Sequence, residues 1–110
     1  MNEWTKWAPF PNPRKKQFLV APFGPGIYEL RLKGIGKPVL VGIGRRCALR
    51  MNSLLPAPLG QGVRRNSKKR EYVLKNLSRV EYRTCACASI SEARLLEKQK
   101  MAEVVFMFPT

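Results

Sequence analysis

Three segments of the chain show the patterns of hydrophobic and polar residues that predict β-strands. Residues 26–32 and 80–88 alternate between apolar and polar side chains, as expected of strands with one buried face. Residues 38–43 form a short and almost wholly apolar run, which is typical of a strand inside a sheet. The pattern therefore predicts three strands, two of them close together in sequence.

A short segment, residues 33–37, joins the first two predicted strands and contains two glycines and two lysines. Such a segment predicts a turn, so the two strands should pair as an antiparallel hairpin. If the turn is centred near Ile35, Tyr28 and Leu40 lie on the same face of the hairpin, because side chains alternate between faces along a strand.

Helices are predicted in three further segments. Residues 45–55 form the first, which ends before Pro56 because proline disfavours a helical conformation in the residue ahead of it. The second follows a basic run and continues through Leu77. The third begins at a capping box in which Ser89 caps the helix and Glu92 reaches back to it.

The element order is therefore ββααβα, which predicts an α/β domain of the α+β type. We expect a small three-stranded antiparallel sheet flanked by helices. At 110 residues the chain suits one domain. Residues 26–110 would form it, and residues 1–25, rich in proline and aromatic residues, would form an irregular N-terminal arm that packs its aromatic side chains on the domain.

The charge of the chain indicates a polyanionic partner. Twenty-one Lys and Arg residues stand against seven acidic ones, which gives a net charge of +14. Neutralising nucleic-acid phosphates is the commonest use of such an excess. A membrane partner is not expected, because neither a basic amphipathic helix nor a long apolar run stands out. With no signal pattern at its N-terminus, we expect a cytoplasmic protein.

Five of the basic residues fall within seven positions, residues 64–70. Such a run could be a solvated charged loop. We favour phosphate contact, because cations this close together repel one another unless an anion neutralises them. The predicted nucleic-acid-binding residues are these five with two from the first helix: Arg45, Arg46, Arg64, Arg65, Lys68, Lys69 and Arg70.

Missing residue types limit the chemistry that the chain can perform. It contains no histidine and no aspartate, which excludes catalytic triads, histidine–metal nucleases and most two-metal nucleases. The three cysteines are too few and too poorly placed for a disulfide framework or a zinc site. We interpret Cys47, Cys85 and Cys87 as small core residues.

Three separate motifs occur in an order and spacing that together are specific. Gly26-Ile27-Tyr28 heads the first strand, and Leu40-Val41-Gly42 ends the second. Arg50 follows that glycine by eight residues, and Glu97 lies in the last helix. This set resembles the GIY-YIG nuclease family, whose element order agrees as well.

The resemblance implies hydrolysis of DNA phosphodiester bonds with a divalent metal, Mg²⁺ or Mn²⁺. Glu97 would be the metal ligand, Tyr28 would position or deprotonate the attacking water, and Arg50 would steady charge on the phosphoryl oxygens. One carboxylate with waters and phosphate oxygens is a normal magnesium environment, and a guanidinium suits phosphoryl charge. A larger protein partner could supply specificity.

Each of these residues also has an ordinary structural interpretation. Glu97 could be an exposed helix glutamate, Arg50 a solvated arginine and Tyr28 a packing residue. Glu97, however, shares a helix sector with Ala93 and Met101, and an acid within an apolar stripe is costly unless it is paired or binds metal.

The chain also departs from the family pattern. Leu40 stands where the second tyrosine is expected, Leu54 replaces a histidine or tyrosine, and Ile43 replaces a lysine. Two explanations compete: Tyr28 activates water alone, with Arg45 or Arg46 supplying the missing charge, or the domain binds nucleic acid without cleaving it. A basic structural protein of a ribonucleoprotein particle is a third interpretation, which accounts for the charge and not for the motifs.

Overall fold

A single antiparallel sheet forms the centre of the fold in the computed structural model, which describes residues 3–12, 15–54 and 67–108. Its strands lie in the spatial order β1-β4-β2-β3. They are β1 (Ala8–Pro9), β2 (Gly26–Leu32), β3 (Pro38–Gly44) and β4 (Val80–Ala86). The α+β prediction is confirmed, with one correction, since the sheet has four strands rather than three.

The predicted hairpin is present and has the predicted register. Tyr28 pairs with Gly42, and Leu30 pairs with Leu40. Tyr28 and Leu40 therefore lie on the same face, as the sequence predicts. Gly34 and Gly36 in the turn have φ angles of +87° and +66°, a backbone region that side-chain-bearing residues rarely adopt.

The additional strand, β1, comes from the N-terminal arm. Ala8 pairs with Tyr82 on β4, and Phe10 then packs edge-on against the Tyr82 ring with centroids 5.8 Å apart. Phe10 is buried, so its burial anchors the arm to the sheet. Two residues, one of them the proline Pro9, carry too little periodicity to predict a strand from sequence.

The two tryptophans of the arm stack on arginines of the sheet. The Arg83 guanidinium lies 4.5 Å from the centre of the Trp4 ring and 4.7 Å from that of Trp7. Arg31 lies 3.9 Å from the Trp7 ring. Arg83 also binds the buried carboxylate of Glu29 at 2.8 Å, so this acid is paired within the fold.

Three α-helices flank the sheet in the described part of the chain: α1 (Cys47–Met51), α2 (Ser67–Lys75) and α3 (Ile90–Glu103). The first is shorter than predicted and continues as a 3₁₀ turn, Asn52–Leu54. The second takes in part of the basic run, since Lys68, Lys69 and Arg70 belong to α2 rather than to a loop. No helix among these residues has the length and apolar character to cross a bilayer.

Hydrophobic cores cover both faces of the sheet. On one face, Tyr28, Leu30 and Leu40 pack with Met51 from α1 and Val73 from α2. These contacts bury the strands on the side that carries the hairpin tyrosine. The first two helices are thereby fixed beside the β2–β3 hairpin.

The opposite face packs against α3. Ile27, Val41 and Cys85 from the strands meet Leu96 and Met101 from the helix. β3 is the outermost strand on that side of the sheet and contacts both α1 and α3, and residues of the two helices line a common pocket at its end. That end of β3 is where the predicted site residues would have to meet.

The cysteines are core residues, as predicted. Cys47 and Cys85 are fully buried and Cys87 is half-buried, and all three are free thiols. Burial raises the pKa of Cys47 from 9.0 to about 12 and that of Cys87 to about 11. These thiols therefore remain protonated and unreactive at neutral pH.

Candidate functional site

Tyr28 places its phenol over a glycine on the neighbouring strand. A side chain added at Gly42 would collide with the hydroxyl and the ring of Tyr28, so the phenol fills the space that Gly42 leaves open. The Tyr28 side chain is only 6% exposed. The glycine of the second motif thus determines where the tyrosine of the first motif lies.

Arg50 uses a second glycine of the same strand in the same way. The space beside Gly44 is occupied by the first side-chain atoms of Arg50, with Cβ 2.9 Å from where a Gly44 side chain would begin. Gly42 and Gly44 are two residues apart and face the same side of β3, about 7 Å from each other. Tyr28 and Arg50 therefore lie over neighbouring positions at the end of this strand.

Glu97 reaches this region from α3. It is half-buried beside the apolar stripe that contains the buried Ala93, as the helix periodicity predicts. Burial raises the pKa of Glu97, while the positive charges of Arg94, Lys69 and Arg50 oppose the rise. The carboxylate therefore lies within the electrostatic reach of three cations from three different helices.

Lys69 of α2 completes this group of charges. Burial lowers the pKa of Lys69, the nearby charge of Arg50 lowers it further, and the charge of Glu97 acts in the opposite direction. The sequence predicts Lys69 only as one member of a basic run. In the structure it lies within electrostatic reach of two of the three predicted catalytic residues.

A pocket of about 480 Å³ opens beside these charges. Four arginines contribute to its walls: Arg45, Arg46, Arg50 and Arg94. Three aliphatic side chains line it as well, namely Ile43 from β3, Leu49 from α1 and Ile90 from α3. The pocket therefore combines strong positive charge with apolar surface.

Arg94 is a pocket-lining residue that the sequence reasoning missed. Ile90, Arg94 and Glu97 follow one another at helical spacing, i, i+4 and i+7, and so share one stripe of α3. Because Glu97 is a predicted metal ligand, its helical spacing from Arg94 could have predicted that Arg94 lies on the same side of α3. The stripe runs from the pocket to the carboxylate.

The other predicted nucleic-acid-binding residues divide into three groups. Arg45 and Arg46 are exposed and line the pocket. Lys68 and Arg70 flank Lys69 on α2 and are not among the pocket-lining residues of the described chain. Arg64 and Arg65 lie outside the described residues.

Two of the three positions that depart from the family pattern are core positions. Leu40 and Leu54 are each 1% exposed and pack in the same core as Tyr28. Ile43 lines the pocket instead of presenting an ammonium group. Tyr28 is thus surrounded by hydrocarbon at two positions where the family pattern expects polar groups.

Glu97 could serve as the single protein ligand of a magnesium ion. Within residues 3–12, 15–54 and 67–108, no cluster of three or more carboxylate, thiol or imidazole groups is available for a metal. Magnesium, however, retains much of its water shell and is often held by one carboxylate and substrate phosphates. A half-buried glutamate beside a cationic pocket has the donor chemistry for that arrangement.

This fold is that of the GIY-YIG endonuclease domains. The N-terminal endonuclease domain of UvrC from Thermotoga maritima, in a crystal structure with magnesium as its catalytic divalent cation, matches with a TM-score of 0.64 at 22% identity. The match covers 91% of this chain and 99% of that one. A point mutant of the same domain matches with a TM-score of 0.62 at 24% identity, over 88% of this chain and 93% of that one.

The sequence alone matches neither a family model nor a curated protein. The likeness to known proteins therefore lies in the fold, which agrees with the resemblance inferred from the motifs.

Proposed function

We propose that this protein is a metal-dependent endonuclease that hydrolyses DNA phosphodiester bonds. Tyr28, Arg50 and Glu97 would form its active site. The observation that supports this proposal is that Tyr28 covers Gly42 and Arg50 covers Gly44 on the same face of β3, with Glu97 within electrostatic reach of Arg50. In phosphoryl transfer a carboxylate can hold the metal ion, a guanidinium can stabilise the phosphoryl oxygens, and a phenol can orient the attacking water.

The cationic surroundings of the carboxylate support DNA as the substrate. The positive charges of Arg94, Lys69 and Arg50 all act on Glu97, and the whole chain carries a charge of +14. Phosphate oxygens entering this region would be neutralised by the guanidinium groups, which bind two oxygens at once. Arg45 and Arg46 would hold the flanking phosphates, because they line the adjoining pocket.

Each of the three side chains has a distinct chemical role in this proposal. The Arg50 guanidinium would bind the phosphoryl oxygens and stabilise their increasing negative charge. The Tyr28 hydroxyl would orient the attacking water and accept a hydrogen bond from it. Glu97 would hold the divalent ion, which, when bound, supplies Lewis-acid polarisation of the phosphoryl group.

Cleavage of plasmid DNA tests the proposal. The purified protein should nick supercoiled plasmid with Mg²⁺ or Mn²⁺, and nicking should stop when EDTA is added. Glu97→Gln, which keeps the shape of the side chain and removes its charge, should slow cleavage by about 100-fold or more, the usual loss for an essential catalytic group. Glu103→Gln, at an exposed position of the same helix, is the matched control and should cleave normally.

DNA binding separates loss of chemistry from loss of substrate. Glu97→Gln should bind DNA in EDTA at least as tightly as the wild type, because the variant has one negative charge fewer. Cleavage by Glu97→Gln at the wild-type rate would overturn the site assignment.

A binding module without catalysis is the second candidate, and the burial of Leu40 favours it. A leucine at this position cannot polarise water, and Leu54 nearby adds no polar group. If the wild type cleaves no duplex, branched or single-stranded DNA with either metal, this second function replaces the first. A gain of cleavage in Leu40→Tyr would then identify the lost phenol as the cause.

A further inference from the structure

The pocket is lined by both arginines and aliphatic side chains, and this combination indicates which part of a DNA substrate it binds. We propose that the pocket receives the base of an unpaired nucleotide, so that the DNA bound here is single-stranded or locally unpaired. The position of this nucleotide next to the cleaved phosphate rests on the proposed endonuclease function. The contact between base and pocket does not depend on cleavage.

The apolar side chains in the pocket carry this proposal. Leu49 is 59% exposed although it stands among arginines, and Ile43 and Ile90 approach it from two other elements. A site for phosphate alone needs no aliphatic surface, and exposing such surface to water is unfavourable. A base has a flat apolar face that would cover these side chains and a polar edge that arginines can bind.

The arginines fit the same ligand. Guanidinium planes stack on bases as well as binding phosphates, and Arg46 and Arg94 line the pocket together with Leu49. A nucleotide carries both parts, an apolar face and a phosphate. The charge and the apolar surface are therefore complementary to one ligand rather than to two.

The pocket also leads to the proposed cleavage site. Ile90 and Arg94 line it, and Glu97 follows on the same stripe of α3, about 4.5 Å further along the helix axis than Arg94. A nucleotide whose base enters the pocket would thus have its phosphate beside the carboxylate. Paired DNA could enter only by unstacking a base, which costs a few kcal/mol.

Binding to strands with and without bases tests the proposal directly. One probe is a fluorescent oligothymidine strand of about 12 nucleotides, within the site sizes of single-strand-binding domains. The second is an abasic strand of equal length and charge, and the third is a duplex of that length. Fluorescence anisotropy in EDTA measures the affinities without cleavage, so an inactive enzyme would not obscure the result.

The wild type should bind the oligothymidine strand about tenfold more tightly than the abasic strand, the value of roughly one good base contact. Leu49→Ala and Leu49→Gln should reduce this ratio about threefold or more, with little change in binding of the abasic strand. Leu95→Ala is the matched control, since Leu95 is 58% exposed on α3 and does not line the pocket. Its ratio should equal that of the wild type.

Two results would overturn the proposal. Equal wild-type affinity for the abasic and oligothymidine strands would show that only phosphates are bound. A reduced affinity of both Leu49 variants for every probe, with the ratio unchanged, would assign Leu49 a structural role instead. Circular dichroism of the variants establishes that they are folded.

Discussion

At the scale of single residues, the candidate site depends on two positions that lack a side chain. Gly42 leaves room for the phenol of Tyr28, and Gly44 leaves room for the first atoms of Arg50. Any larger residue at either position would compete with the functional side chain for the same space. The glycines thus contribute to the site by their absence of bulk rather than by chemistry.

This arrangement predicts a specific effect of Gly42→Ala. The added methyl group would collide with the Tyr28 ring, which cannot give way without leaving its packed position. We expect a decrease in the cleavage rate of about 100-fold, typical of a misplacement of about 1 Å, with a loss of about 1–3 kcal/mol in stability from overpacking. Plasmid nicking and urea denaturation measure the two effects.

Gly24→Ala provides the control for this prediction. An added methyl group at Gly24 would meet no atom within 4 Å, and its backbone has no positive φ. Both the rate and the stability of Gly24→Ala should remain close to wild type. A Gly42→Ala protein with full activity would show that cleavage does not depend on the exact position of the Tyr28 phenol.

The sequence predicted some site residues and not others for a physical reason. Tyr28, Arg50 and Glu97 belong to motifs whose spacing places them on particular elements. Arg94 joins the candidate site only because α3 and α1 line the same pocket. Lys69 is predicted as a nucleic-acid contact, but its electrostatic effect on Glu97 depends on how α2 packs. Both relations depend on tertiary packing, which local periodicity does not contain.

At the scale of elements, the hairpin was predictable and the first helix was only partly so. Residues 26–32 and the register of β2 with β3 follow from alternation and from the glycine turn. Where α1 changes into the 3₁₀ turn, the Ser53 hydroxyl donates a hydrogen bond to the carbonyl of Arg50 at 3.0 Å. Such bonds compete with the helical hydrogen-bond pattern, an effect that hydrophobic spacing does not reveal.

Helix α3 is the element on which the site most depends, and its beginning is capped as predicted. The Ser89 hydroxyl accepts from the backbone N–H of Glu92 at 3.1 Å. The Glu92 carboxylate accepts from the N–H of Ala88 at 3.1 Å, one residue earlier than in the usual capping box. Two backbone N–H groups thereby gain side-chain acceptors at the start of α3, the end of the helix nearest the pocket.

Removal of this cap should measurably destabilise the protein. Ser89→Ala should lower the free energy of unfolding by about 1 kcal/mol, because an N–H group at the helix start loses its acceptor. Urea denaturation followed by circular dichroism measures the change. Ser91→Ala, at an exposed position in the first turn, should be nearly neutral, and an equal loss in the two variants would contradict a capping role.

At the scale of the whole molecule, positive charge is present at both ends of the sheet, whereas the pocket lies only at the end where β3 finishes. Arg94 lies at the end where β3 finishes. Arg79 is exposed at the opposite end, where its carbonyl accepts from the backbone N–H of Lys33. A charge of +14 alone would attract DNA to any part of this surface. The two arginines therefore distinguish binding at the pocket from diffuse attraction.

The salt dependence of DNA binding tests this distinction. Each phosphate contact adds about 0.7 to 0.9 to the slope of log affinity against log salt concentration, because counterions are released. Arg94→Gln should lower the slope by the contribution of about one phosphate contact. Arg79→Gln should leave it nearly unchanged, because no phosphate is expected at that end of the sheet. Affinities measured by anisotropy over a salt series provide both slopes, and equal decreases would mean that DNA is held by the overall charge of the molecule and not by its pocket.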